Sequence, residues 1–213
     1  MEKMPTILKT LDNKRPILLV DADEVLLRFV ERLESYFLDQ GFELRLTSFQ
    51  LTGNIFHLQT GKLAEPQQTK SLIASFFEAC VDDVPSVEGA NDALATLSLH
   101  YQVIILSNVP PNCRERRAKS LAAMGMNYPL IANKGDKGPA VKAFAEATKG
   151  HTVFVDDLPP QHASVQHHCP NSHRVHFVAD PRLARMIGKA PNAHIRCDSW
   201  PKLTPYLINL TEE

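Results

Sequence analysis

Residues 17–25 read Ile-Leu-Leu-Val-Asp-Ala-Asp-Glu-Val, an apolar run that delivers two carboxylates two positions apart and then stops. A short run of Ile, Leu and Val suits a strand buried on both faces of a parallel sheet. Asp21 and Asp23 then fall at its carboxyl end, where open α/β sheets place their ligands. Residues i and i+2 share a face of a strand, so both carboxylates are expected to converge on one reacting centre. Two acids held that close push their pKa values apart unless a cation intervenes. The pair suits a nucleophile beside a general acid/base, a Mg²⁺ site, or both. The alternative is a strand end with two solvated Asp residues.

Further polar residues of complementary kind follow other apolar runs. Ile104-Ile-Leu-Ser107-Asn108 ends in a hydroxyl and an amide, and leads into a helix N-terminus that favours anions. Lys137 stands just before a helix opened by Pro139, while Lys134 competes for the same role from the end of the preceding strand. Val153-Phe-Val-Asp156-Asp157 ends in a second acidic pair. Acids at two strand ends supply hard oxygen ligands for Mg²⁺, and Ser107, Asn108 and Lys137 are able to hold phosphoryl oxygens.

These residues need a scaffold that brings strand ends together. From residue 100 onward, strand patterns at 101–106, 129–132, 152–155, 174–178 and 193–196 alternate with helical patterns at about 112–124, 139–148, 160–167 and 200–210. That alternation predicts βαβ units and a parallel sheet covered on both faces. Residues 26–88 break the rhythm. Phe29, Leu33, Tyr36 and Phe37 fall on one helical face, as do Leu72, Ile73, Phe76 and Phe77, with turns and loops expected around 52–58 and 60–62. The chain is therefore expected to be α/β: a core of residues 1–25 and 89–213, with a small, mainly helical cap of residues 26–88 inserted after the first strand.

Composition narrows the partners. The 213 residues are 44% hydrophobic and 22% charged with a net charge of −1, enough apolar material for one real core. Nothing electrostatic recommends a nucleic-acid polymer or a membrane surface as partner. The first fifteen residues lack the apolar stretch of a signal peptide. Cys80, Cys113, Cys169 and Cys197 are scattered without a Cys-x-x-Cys, as expected of free thiols in a reducing cytoplasm. A monomer or homodimer acting on a small molecule is the expected form.

Taken in order, Asp21-Ala-Asp23-Glu-Val25, Ser107, Lys137 and Asp156-Asp157 resemble the four signatures of the haloacid dehalogenase-like superfamily, specifically its phosphatases. The resemblance runs from about residue 16 to the C-terminus and implies a Rossmann-like three-layer core. It also implies roles. Asp21 attacks phosphorus and forms an aspartyl-phosphate. Asp23 protonates the leaving oxygen and then deprotonates the hydrolytic water. Mg²⁺ is held by the Asp21 carboxylate, the Asp23 backbone carbonyl and a carboxylate of Asp156 or Asp157. Of these last two, Asp157 aligns with the usual direct ligand, and Asp156 acts through water or Lys137. Ser107 bonds a phosphoryl oxygen and Lys137 neutralises charge. Glu24 departs from the pattern, since the family commonly has Gly there; its side chain is expected to point outward.

Rivals are kept in view. A dehalogenase of this type needs no acid at position 23, because halide leaves without a proton. A response-regulator receiver also combines acids, Ser/Thr and Lys, but its Lys comes last and it lacks the long insert. Phe29 and Arg28, early in the cap, faintly suggest nucleotidase-like activity on nucleoside monophosphates; both could equally pack the cap hinge. A catalytically idle member that binds phosphorylated ligands or a partner protein is the reading from a different class. The stretch His167-His168-Cys169…His173…His176 matches no common zinc spacing and reads as structural or surface. His162 is either a supporting partner of Asp157 or an ordinary helix residue. The basic run Arg114-Glu-Arg116-Arg117-Ala-Lys119 reads as the solvated face of a helix, and the Phe29/Tyr36/Phe37 and Phe76/Phe77 aromatics as cap core.

Overall fold

A computed structural model describes residues 4–148 and 150–211. Helix α1 (Met4–Leu8) precedes β1 (Ile17–Val20), whose four residues are all fully buried. Six parallel strands form the main sheet: β1, β4 (Gln102–Ser107), β5 (Leu130–Ala132), β6 (Thr152–Asp156), β7 (His173–His176) and β8 (Ile195–Arg196). Their spatial order is β5-β4-β1-β6-β7-β8, so β1 is flanked by β4 and β6. The order reverses at β1, and loops leaving β1, β4 and β6 open onto the same end of the sheet, the switch point where such folds place ligands.

The period of two along each strand divides the core into two layers. Ile17 and Leu19 of β1 join Ile104, Leu106 and Phe154 beneath α1, α6 (Gly138–Ala147) and α7 (Pro159–His168). Leu18 and Val20 join Val103, Ile105, Val153 and Val155 beneath α4 (Ala90–Leu97) and α9 (Trp200–Asn209). Helix α5 (Arg114–Ala123) follows a single 3₁₀ turn over Pro111–Cys113, and the short α8 (Pro181–Ala184) follows β7. The result is the expected α/β three-layer parallel sheet, with strand and helix bounds within two or three residues of those predicted.

Between β1 and α4 lie α2 (Phe29–Asp39), the antiparallel pair β2 (Phe42–Leu44) and β3 (Ile55–His57), and α3 (Pro66–Cys80). The hairpin is a correction, because residues 52–58 were expected to be loop. Two short strands become viable because buried Asn54 organises the connection. Its side chain accepts from Thr47 N and Oγ1 and donates to Ser48 O and Gln50 O. Helices α2 and α3 meet through Phe29, Tyr36 and Phe76, with ring centroids 5.2 and 5.6 Å apart. Such edge-on aromatic pairs add to area burial.

A second correction concerns the first strand. It ends at Val20, so Asp21 and Asp23 do not share a strand face. Asp21 N still donates to Val155 O at 2.9 Å, but the chain then folds back, with Leu26 N and Leu27 N both donating to Ala22 O. The turn contains Glu24 at φ +59°, the one non-glycine with positive φ among the described residues. Trp200, fully buried on α9, secures the far side of the turn by donating its Nε1 to Val25 O at 2.9 Å. No helix of the described residues is long and apolar enough to cross a membrane.

Candidate active site

The carboxyl ends of β1 and β6 bring three acids together. Asp21, Asp156 and Asp157 can each turn one oxygen into a group whose atoms lie within 4.8 Å of one another, and all three are buried. Lys137, only 1% exposed, enters from the N-terminus of α6. Its Nζ lies 2.7 Å from Asp21 Oδ1 and donates a hydrogen bond to Asp156 Oδ2 at 2.6 Å. Its backbone N–H is fixed by Gln161 Oε1 at 2.8 Å. Lys134 is exposed and takes no part.

The two acids of β6 differ in what remains free. Asp156 has both oxygens engaged, Oδ2 by Lys137 and Oδ1 by Leu158 N at 2.9 Å. Asp21 Oδ1 is buried and is paired with the Lys137 ammonium at 2.7 Å. Burial lifts the Asp21 carboxyl to about 6 against the pull of Lys137. Burial also drives Asp157 well above the usual carboxylate range, helped by the neighbouring Asp156 and Asp21. Burial alone would lower Lys137; Asp156 and Asp21 overcome it and hold the ammonium charged. One ammonium among three carboxylates leaves the cluster short of positive charge.

Those features fit a small divalent cation. The donors are all oxygen, and the crowding of three buried acids around one ammonium is what a hard cation relieves. Mg²⁺ fits that set, with Asp21 and Asp157 as the carboxylates left available.

Asp23 points elsewhere. Its Oδ1 accepts from Arg117 Nη2 at 3.0 Å, and its side chain keeps 20% exposure. Burial raises its carboxyl, opposed by Arg117. Ser107, fully buried at the end of β4, accepts Val109 N–H on its Oγ at 3.2 Å, which leaves the hydroxyl proton available for another acceptor. Asn108 is exposed and engaged with the next loop: Nδ2 donates to Gly135 O and Oδ1 accepts from Asn133 Nδ2.

Arg28 and Phe29 are not brought to the carboxylates. Phe29 is buried against Phe76 and Phe77. Arg28 pairs with Glu31 and lines a separate cavity of about 610 Å³ with Ser86, Glu88 and Asp198. Phe29 thus packs where the other aromatics are, the cap-hinge arrangement that the sequence offered as the alternative for these two residues.

Three supporting groups escaped or contradicted the sequence. Glu24 does not point outward; it is 3% exposed, and its carboxylate accepts Val30 N–H at 2.7 Å and Asp180 N–H at 2.9 Å. Burial lifts it to about 7. Arg117 is fully buried, so it departs from the solvated face that Arg116 and Lys119 keep. The available signal was its spacing: Cys113, Arg117 and Leu121 recur every four residues and form one buried stripe. His176 and His162 back the acid pair. Ala190 N–H donates to His176 Nδ1, so Nε2 carries the proton and donates to Asp157 O at 2.9 Å. His162 Nε2 likewise donates to Asp156 O at 3.0 Å. Burial lowers both imidazoles to about 4, which keeps them neutral.

This combination of sheet order, first-strand acid and second acidic pair has the fold of the haloacid dehalogenase-like hydrolases. A HAD family hydrolase from Deinococcus radiodurans R1, solved with phosphate and sodium, superimposes with a TM-score of 0.63 at 16% identity, covering 93% of this chain and 97% of that one. YfnB of Bacillus subtilis, assigned as a HAD-hydrolase and solved with magnesium, gives 0.59 at 13% identity over 93% and 100%. A dehalogenase gives 0.54 at 17% identity over 93% and 99%. No family model matches the sequence, and no curated protein is detectably similar to it.

Proposed function

We propose that the protein is a Mg²⁺-dependent phosphomonoester hydrolase working through an aspartyl-phosphate on Asp21. The observation that carries this is the setting of Asp21: buried, paired with the Lys137 ammonium at 2.7 Å and grouped with two further acids at the ends of β1 and β6. A carboxylate so placed is fixed in direction and shielded from bulk water, as nucleophilic catalysis requires. Neighbours of the same fold, one solved with phosphate and another with magnesium, support the reading.

Mg²⁺, held by the Asp21 and Asp157 carboxylates and the Asp23 carbonyl, would supply the charge that lets a phosphate dianion approach a carboxylate. The chain's own groups do the rest. Asp21 attacks phosphorus as the ester bond breaks. Asp23 gives its proton to the departing oxygen, then takes one from the water that cleaves the acyl phosphate. Ser107 Oγ–H and the Lys137 ammonium hold phosphoryl oxygens, and Asp156 keeps Lys137 in place.

Asp23 separates this from dehalogenation. A halide departs unprotonated, so a dehalogenase has no use for a second acid beside the nucleophile. The insert between β1 and α4 is read as a cap that encloses the site and limits substrates to small phosphorylated molecules. Turnover of a phosphomonoester panel with Mg²⁺, lost by at least about 10³-fold in Asp21→Asn, is the expected result. A panel in which nothing turns over, while phosphorylated ligands still bind, would establish the idle-binder alternative instead.

A further inference from the structure

We infer that Arg117 positions Asp23 for proton transfer, holding the carboxylate from behind while α5 is itself pinned to the far end of the insert. The inference rests on the phosphatase reading of Asp21 and Asp23 and adds to it a residue outside the four signature segments.

Arg117 is fully buried, yet only Nη2 has a partner, Asp23 Oδ1 at 3.0 Å; Nε and Nη1 make no hydrogen bond. A buried guanidinium with two idle donors is costly and is not what a fold builds for stability alone. Asp23 in turn lies beyond the end of β1, where an isolated bridge to Leu27 holds its backbone but not its side chain. Without Arg117 its carboxylate would be free to rotate among rotamers or turn back toward the acid cluster. A charge-assisted hydrogen bond removes that freedom and leaves Oδ2 for the reacting oxygen.

Arg117 is held rigidly enough for the task. Its neighbour Arg116 grips Asp82 through Nε at 3.1 Å and Nη2 at 2.7 Å, and Ser120 Oγ donates to Asp82 O at 3.0 Å. On the preceding 3₁₀ turn, Cys113 Sγ lies 3.6 Å from Phe77 O. One face of α5 therefore meets the proton-transfer residue while another meets the chain where it leaves α3. Seating of the insert and the aim of Asp23 are coupled through one rigid helix.

A positioning role is distinguishable from a structural one by the leaving group. In the first half-reaction the Asp21–phosphorus bond forms, the ester P–O bond breaks, and the departing oxygen takes the Asp23 proton. A phenol as acidic as 4-nitrophenol leaves without that proton; phenol and simple alcohols need it. The test is kcat/KM of Arg117→Met and Arg117→Lys across 4-nitrophenyl phosphate, phenyl phosphate and an alkyl phosphomonoester. We expect Arg117→Met to lose on the order of 10²-fold on the alkyl and phenyl esters and far less on the nitrophenyl ester. Arg117→Lys should restore part of the difference. In an Asp23→Asn background, Arg117→Met should add nothing further, because the two act as one unit. Equal losses across the three esters, or losses that multiply in the double variant, would overturn the inference. Should Arg117→Met fail to fold, the Arg117→Lys comparison and its double variant decide alone. A wild-type protein inert toward all three esters would overturn the phosphatase reading itself, an outcome separable from failure of the Arg117 role.

Discussion

Glu24 Oε1 accepts the backbone N–H of Val30 at 2.7 Å, which ties the turn after Asp21 to the first turn of α2. The other carboxylate oxygen accepts Asp180 N–H, and Asp180 caps α8, whose Arg182 reaches Glu34 on α2 at 2.8 Å. Two segments far apart in sequence are thus closed around one buried side chain. The arrangement explains how a non-glycine persists at φ +59°. Left-handed backbone costs a residue with a Cβ about 1 kcal/mol or more, and two charge-assisted bonds from otherwise orphaned helix N–H groups offset that cost.

Replacing Glu24 separates the two effects. Glu24→Ala loses both bonds and keeps the strain, so urea unfolding should show a loss of about 2–4 kcal/mol. Glu24→Gly loses the same bonds but relieves the strain, and despite its smaller size should be more stable than Glu24→Ala, by up to about 1 kcal/mol. An alanine variant as stable as the glycine variant would mean that the turn relaxes and that no strain is stored there.

Much of this was legible in the sequence where one residue carries one signal. The apolar run before Asp21 and the runs before Ser107 and Asp156 announce buried parallel strands, since both faces must be apolar. Pro139 and Pro159 mark helix starts through their fixed φ. What escaped detection depends on distant partners. Glu24 looks like a surface acid until Val30 and Asp180 are folded against it. Arg117 looks like one charge of a basic face until its i±4 neighbours, Cys113 and Leu121, are seen to be buried. The β2–β3 hairpin hides because three-residue strands are too short to show alternation, and Asn54 stabilises the loop through contacts within the loop alone. Within the site, the lysine nearest the helix start, Lys137, is the buried one, whereas spacing alone left Lys134 open.

His176 gives a test of how far the acid pair depends on its backing. Its Nε2–H holds the Asp157 carbonyl and its Nδ1 receives Ala190 N–H, so both ring nitrogens are committed. His176→Phe keeps the ring volume and removes both bonds. The Asp157 backbone should then lose its fixed orientation, and the Mg²⁺ concentration giving half-maximal thermal stabilisation should rise by roughly 10–100-fold. Thermal shift against Mg²⁺ measures this without any substrate. An unchanged Mg²⁺ dependence in a folded variant would show that the Asp157 backbone keeps its orientation without the His176 bond.

The crowding of acids makes a prediction about pH in the absence of metal. Burial raises Asp21 to about 6, Glu24 to about 7 and Asp157 well above its ordinary value. In the unfolded chain these groups titrate near 4. Between about pH 4 and pH 7 these acids bind more protons in the folded protein, a contribution to stability that falls as pH rises. His162, His173 and His176, lowered by burial to about 4, contribute with the opposite sign below about pH 6.5. Each unit of difference corresponds to about 1.4 kcal/mol for a group that stays buried. In chelator, the Tm of the protein should fall relative to that of Asp157→Asn, which shares the same histidines, as pH rises from about 5 to about 7.5. Mg²⁺ reverses the logic at Asp21 and Asp157, because a bound dication favours the ionised carboxylates. Adding it should raise Tm strongly at about pH 7.5 and little at about pH 5, where protons compete for the same oxygens. Asp157→Asn should also lose most of the Mg²⁺ response. A chelated protein whose Tm follows that of Asp157→Asn across this range would instead show that Lys137 and the surrounding N–H groups already neutralise the acids, leaving no electrostatic demand for a cation.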